Sequence, residues 1–151
     1  MIKILAIGKK HEDWVIGGIE RYQKRLRSPF DVQWVLLPHS SLEGLRARQE
    51  ESERILSRID ERDYVILLDE RGSRTSSPSL STQLTTLFAS AKQPVFIIGG
   101  AYGVDETVHT RADLTLSLSD LVFPHQLVRL LLTEQLYRAQ EISSGGKYHH
   151  E

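Results

Sequence analysis

Apolar and polar positions along this chain switch repeatedly between two periods, and the switches predict alternating strands and helices. Ile2 to Ile7 is a short apolar run that stops at Gly8, the mark of a buried strand. Trp14 to Leu26 has helical spacing, with Trp14, Ile19, Tyr22 and Leu26 near one face. Val32 to Leu37 predicts a second strand, ended by Pro38. Leu42 to Ile59 predicts a charged helix with a thin stripe of Leu45, Ile55, Leu56 and Ile59. Tyr64 to Leu68 is apolar throughout, as expected of a strand covered on both faces. Ser77-Pro78 has the form of an N-cap followed by proline, opening a helix to about Ala91. Val95 to Ile98 is a fourth strand, Asp105 can cap a short helix through Ala112, and Leu114 to Leu118 is a fifth strand. The last and most apolar helix runs from Pro124 to about Ile142, and Ser143 to Gly146 stop it.

Strand and helix in strict alternation define an α/β domain with a mostly parallel sheet. The 151 residues suit one domain, expected to span residues 1–151. Hydrophobic residues make up 40% and charged residues 26%, so an ordinary globular protein is expected. No apolar run has the length of a membrane span, and no signal peptide is expected, so the predicted location is the cytoplasm. The chain has no cysteine, which removes disulfides and thiolate chemistry. A net charge of −1 gives no global attraction to nucleic acid, so any RNA surface must be local. Arg21, Lys24, Arg25 and Arg27 make the first helix basic, and Lys9-Lys10 stand beside it.

In an open parallel sheet, ligands sit beyond the carboxyl ends of the strands. Three strand ends here carry unusual residues: Leu68-Asp69-Glu70-Arg71-Gly72, Ile98-Gly99-Gly100-Ala101-Tyr102-Gly103, and Leu118 to Pro124. Glycines after a buried strand allow a ligand wall made of main chain, or simply a tight turn. A dinucleotide fingerprint is absent after the first strand, which ends Gly8-Lys9-Lys10. A phosphate loop, a zinc-binding His-Glu-x-x-His and a serine-hydrolase elbow are absent too, and no metal site is expected. In the last helix, Glu134 and Arg138 stand at i,i+4, as either a surface ion pair or part of a buried site. His125 reads first as a capping or hydrogen-bonded structural histidine, and Tyr148-His149 as a chain end without fixed structure.

Taken in order, these segments resemble the ribosomal RNA large subunit methyltransferase H family. The resemblance rests on Leu68-Asp69-Glu70-Arg71-Gly72, Ile98-Gly99-Gly100-x-x-Gly103, Leu118-Ser119, Pro124-His125-Gln126-Leu127-x-Arg129, Glu134-Gln135-x-Tyr137-Arg138-Ala139 and Tyr148-His149. The opening Ile4 to Lys9 and Tyr22-x-Lys24-Arg25-Leu26 agree, so it covers essentially the whole chain. Two positions depart from the family pattern: Lys147 stands where proline is usual, and Val122 where threonine is common.

The resemblance implies a SPOUT-type α/β domain with a deep trefoil knot near the C-terminus. It implies a homodimer that uses S-adenosylmethionine to methylate N3 of a pseudouridine in large-subunit ribosomal RNA within the ribosome. The implied cofactor positions are Leu68, Gly99, Gly100, Gly103, Leu118, Ser119, Asp120, Leu121, Val122 and Phe123. The implied catalytic positions are Arg138, Tyr148 and His149. The N3 proton must leave, and a base with a pKa near working pH suits that step, so His149 is the expected base. Tyr148 would stack on the base, and Arg138 would hold phosphate or the developing anion. A non-catalytic ribosome-binding factor and a nucleotide-binding oxidoreductase are the alternatives.

Overall fold

A computed structural model describes residues 1–150. Five strands and five helices follow one another in the predicted order. They are β1 (Ile2–Ile7), α1 (Asp13–Gln23), β2 (Val32–Leu37), α2 (Gly44–Leu56), β3 (Tyr64–Arg74), α3 (Ser77–Ala89), β4 (Pro94–Ile98), α4 (Glu106–Arg111), β5 (Leu114–Ser117) and α5 (His125–Ser143). The strands form one sheet in the order β2-β1-β4-β3-β5, and every pairing is parallel.

Period-two alternation explains how the sheet is covered. Ile2, Ile4 and Ala6 of β1 point to one face with Ile66, Phe96 and Leu116, under Leu80 and Leu84 of α3 and Leu132, Leu136 and Ala139 of α5. Leu5 and Ile7 point to the other face with Val65, Leu67, Val95 and Ile97, under Ile55 of α2 and Val108 of α4. Both faces are apolar because both are covered, which is why the central strands read as unbroken apolar runs.

Polar residues on α5 fasten it to its neighbours. Ser81 Oγ of α3 donates to the Ala139 carbonyl at 2.7 Å in the core. Gln140 Oε1 accepts the Arg27 N–H at 2.7 Å, and its Nε2 donates to the Arg25 carbonyl at 3.0 Å, tying down the chain after α1. Arg129 is fully buried and fastens the β1–α1 loop. Its Nη2 donates to the carbonyls of Ile7 at 3.0 Å and Gly8 at 3.2 Å, and its Nη1 to Lys10 at 3.1 Å. Gln126 adds a bond from the Glu12 N–H to its Oε1 at 2.9 Å. Gly8 turns with φ +122°, and a Cβ there would lie 2.8 Å from Arg129 Nη2, so a side chain is excluded twice over.

Several local expectations are corrected. β3 runs to Arg74, not Leu68, because Ser73 and Arg74 return to pair with Leu116 and Ser117 after residues 69–72 loop out. Gly72 permits that return, since a Cβ on it would lie 2.6 Å from the Thr115 carbonyl. The cap of α3 is Ser76 rather than Ser77: its Oγ accepts the Ser79 N–H at 3.2 Å. Trp14 and Leu45 are exposed, and Val15 and Ala47 take the inward positions instead. α1 ends at Gln23, although Leu26 still reaches the core.

Candidate functional site

The three strand ends singled out by sequence converge on one cleft at the carboxyl edge of β4, β3 and β5. It encloses about 740 Å³, open solvent at its mouth included. Of the ten predicted cofactor positions, nine line it: Leu68, Gly99, Gly100, Gly103, Leu118, Ser119, Leu121, Val122 and Phe123. The tenth, Asp120, sits in the same loop, but its carboxylate turns outward to Arg74 at 3.0 Å, where both side chains are exposed.

Two main-chain walls shape the cleft. After β4, the Gly103 N–H donates to the Gly100 carbonyl at 3.0 Å and Gly103 takes φ +73°, closing a tight turn. The glycine turn therefore forms one wall of the cleft. After β5, Ser117 Oγ donates to the Ser119 carbonyl at 2.8 Å, and Ser119 Oγ accepts the Leu121 N–H at 3.0 Å. These bonds set the backbone of the second wall. Leu121 and Val122 remain exposed on its rim, which is unusual for large apolar side chains.

Glycine is needed at position 100. A Cβ there would lie 2.8 Å from Glu51 Oε1 and 3.1 Å from Ile7 Cγ2. Gly100→Ala is expected to force the turn into the cleft and to cost about 1–3 kcal/mol of strain. Calorimetry should find the affinity of the cleft for its small-molecule ligand reduced about tenfold or more, a factor that 1.4 kcal/mol supplies. Unchanged affinity would separate the turn from ligand binding.

Seven further residues line the cleft that were not among the expected cofactor positions: Leu67, Asp69, Glu70, Ile98, Val104, Val128 and His125, the last expected as a capping or hydrogen-bonded histidine. The Arg71 guanidinium bonded to Asp69 holds that carboxyl below its ordinary value. His125 caps no N–H of α5; it lies half-buried at the cleft. Burial, then the charge of Arg129, lower its pKa. The one sequence signal for it was its place at the N-terminus of α5, where backbone N–H groups are unpaired.

A second cluster forms where α5 meets the tail. Arg138 Nε donates to Glu134 Oε1 at 2.9 Å, and the Tyr148 hydroxyl donates to the same oxygen at 3.1 Å. Arg138 lies over the Tyr148 ring, 4.8 Å from its centroid, and Tyr148 packs edge-on against Tyr137. Arg138 Nη1 lies 3.1 Å from His149 Nδ1. Arginine only donates, so Nδ1 must accept and the ring proton sits on Nε2. His149 Nε2 is itself buried and has no partner among the described residues. The Glu134 carboxylate raises the Arg138 pKa, and burial raises that of the Tyr148 hydroxyl well above the usual tyrosine value. The three predicted catalytic residues are thus brought together, and Glu134 is the hub that sequence spacing showed only as an ion pair. The tail is ordered against α5 through Tyr148 and His149.

None of Arg138, Tyr148 and His149 lines the cleft. Val128 is the last α5 residue that does, and Arg138 lies ten positions on, about 15 Å along a helix.

The structure thus sets a main-chain-walled cleft at the carboxyl edge of a parallel sheet and, apart from it, an Arg-Tyr-His cluster on α5 and the tail. The family model described as "Predicted SPOUT methyltransferase" matches residues 1–149, and the all-parallel five-stranded sheet is consistent with that fold. Full-length relatives are similar. The chain is 41% identical over 156 residues to the ribosomal RNA large subunit methyltransferase H of Acetivibrio thermocellus, covering 98% of both chains. It is 41% identical over 157 residues to that of Natranaerobius thermophilus, with 98% of both covered. To that of Geotalea daltonii it is 39% identical over 151 residues, with 99% of both covered. The chain belongs to the ribosomal RNA large subunit methyltransferase H family of SPOUT methyltransferases. Among the described residues no helix is long and apolar enough to cross a membrane, and no cluster of three or more metal-ligating side chains occurs.

Proposed function

We propose that this protein is an S-adenosylmethionine-dependent methyltransferase that methylates N3 of a pseudouridine in large-subunit ribosomal RNA, acting as a homodimer on the ribosome in the cytoplasm. The observation that carries the reading is the convergence of nine loop and strand-end residues on one glycine-walled cleft. The cleft fits an adenosyl group. Leu68, Leu121 and Phe123 offer apolar faces to a purine, and the two main-chain walls offer carbonyl and N–H groups to its edges and to a ribose. S-adenosylmethionine, when bound, supplies an activated methyl group, so the protein's task is alignment and handling of the N3 proton.

The substrate side falls to Arg138, Tyr148 and His149. Arg138 gives Nε and Nη2 to Glu134 and Nη1 to His149, so it offers its charge and its remaining Nη hydrogens to phosphate or to the uracil anion that develops as the N3 proton leaves. Tyr148 offers an aromatic face to the base. His149 has its acceptor nitrogen occupied by Arg138, and its Nε2 is buried in the free protein. Its service as a donor to the developing anion requires the tail to expose Nε2, and its service as base requires Arg138 to let go of Nδ1.

The cluster stands about 15 Å from the cleft along its own helix. A two-fold pairing that sets the α5 helices side by side would bring one protomer's cluster to its partner's cleft. The exposed Leu121 and Val122 on the rim support such a cover. Mixed dimers test it. Gly100→Val removes the cleft and Arg138→Ala removes the cluster. Each variant alone is expected to be inactive, while co-expression restores about one quarter of the activity, since random pairing makes half of the dimers mixed, with one intact site each. No restoration would place cleft and cluster in the same protomer. The reaction itself is tested by incubating ribosomes, subunits and naked RNA with labelled S-adenosylmethionine. Label is expected at N3 of one pseudouridine, in a large folded target. Label on another nucleoside, or none, overturns the assignment.

A further inference from the structure

α2 turns a narrow stripe inward, and its middle member is charged. Ala47, Glu51 and Ile55 follow at four-residue spacing, and Glu51 is 3% exposed. Glu51 Oε2 accepts the Ser40 N–H at 3.0 Å and stands 3.9 Å from His39 Nδ1. Glu51 Oε1 is buried and has no hydrogen-bond partner among the described residues. It rests against the back of the cleft wall, where a Cβ on Gly100 would come within 2.8 Å. A buried carboxylate oxygen without a donor is expensive, and such a cost is ordinarily offset by a nearby positive charge.

The chain offers little to offset it. His39 is 60% exposed and bears on the other oxygen. His125, on the cleft side, is held toward its uncharged form by burial and by Arg129. Arg129 gives its Nη groups to the carbonyls of Ile7, Gly8 and Lys10. The other carboxylates of the cleft are differently placed: Asp69 is paired with Arg71 and His109, and Glu70 is exposed to solvent.

We propose that Glu51 is a fixed counter-charge behind the Gly100 wall that makes the cleft prefer a cationic ligand, the sulfonium form of the donor, over the uncharged thioether that remains after transfer. The inference rests on the donor reading given above. In the transfer, the carbon–sulfur bond breaks as the carbon–nitrogen bond forms, and its electron pair stays on sulfur. Sulfur loses its positive charge, and the N3 proton passes to a base, His149 once Arg138 has released Nδ1. The cleft's electrostatic attraction therefore falls when the reaction is over, which favours exchange of product for fresh donor. Glu51 touches no ligand; it acts across the Gly100 backbone, through a region where water screens poorly. A unit charge several ångströms away is worth about tenfold in affinity under those conditions.

Calorimetry on the full-length protein tests this with three ligands of one shape. S-adenosylmethionine carries a sulfonium, sinefungin an ammonium at the same place, and S-adenosylhomocysteine a neutral sulfur. The native protein is expected to bind both cations about tenfold more tightly than the thioether. Glu51→Gln keeps the size and an oxygen for Ser40, and should abolish that preference while S-adenosylhomocysteine affinity stays within about twofold. Glu51→Asp, which keeps the charge, should retain part of it. An equal loss for all three ligands with Glu51→Gln would make Glu51 a prop for the wall and overturn the proposal, as would a preference that survives the substitution. Should Glu51→Gln fail to fold, equal affinity of the native protein for sinefungin and S-adenosylhomocysteine overturns it alone. A native protein that binds none of the three overturns the donor reading instead.

Discussion

Arg138→Ala is expected to reduce methyl transfer about 10²–10³-fold, the usual cost of removing a group that stabilises charge developing in a transition state. Donor affinity should remain within about twofold, since Arg138 does not line its own protomer's cleft and its proposed role at the partner's is to hold the RNA, not the donor. Arg138 organises the cluster from its centre. It donates to Glu134, covers the Tyr148 ring and fixes the His149 ring through Nδ1. Alanine therefore removes one charge and releases two neighbours. Lysine restores the charge but not the fork, so Arg138→Lys should recover little activity. Single-turnover kinetics on ribosomes together with donor calorimetry check both halves. An equal loss of donor affinity and transfer would join the cluster to the cleft and remove the division of roles.

The fold was legible because hydrophobic period maps onto element type, and the boundaries of β1 and β2 follow from Gly8 and Pro38 alone. Sidedness was less legible. In α1 and α2 the large apolar Trp14 and Leu45 face solvent, while the smaller Val15 and Ala47 face the sheet, where helices pack closely. The return of β3 after Leu68 was hidden because Asp69 to Gly72 has the composition of a loop, and one is formed there. For the site, glycines gave the cleft its visible mark at Gly99, Gly100 and Gly103. The Glu134–Arg138 pair was visible at helical spacing, but its bonds to Tyr148 and His149 come from a chain reversal at Gly145-Gly146 that no period encodes. Glu51 was invisible for a different reason: a glutamate on a charged helix looks solvated, and only its neighbours in space make it exceptional.

Arg129 is the second large expected effect, and it concerns stability rather than transfer. The side chain is fully buried, and burial pushes its guanidinium below the usual arginine value. Among the described residues no carboxylate bonds to it; its partners are three main-chain carbonyls and His11 Nδ1 at 3.2 Å. A buried cation so placed is costly by itself, yet its removal costs more, because the carbonyls of Ile7, Gly8 and Lys10 lose their donor. Arg129→Ala adds a cavity at the junction of β1 and α5 and is expected to destabilise the protein by about 4 kcal/mol or more. At this chain length that corresponds to a melting temperature lower by roughly 8–16 °C. Arg129→Met fills much of the space without the donors, and should cost about half as much if packing and hydrogen bonding contribute comparably. Denaturant unfolding measures both, and hydrogen exchange locates the effect, since protection should fall first at residues 8–12. A loss below about 1 kcal/mol, with that loop still protected, would show that β1 and α1 hold the loop unaided. Because Gln126 and Arg129 clasp the loop from the same helix that brings His125 and Val128 to the cleft, a partial loss should also loosen the cleft. Donor affinity is therefore expected to fall with Arg129→Met and to stay with Arg138→Ala, which separates the two ends of α5 by their effects.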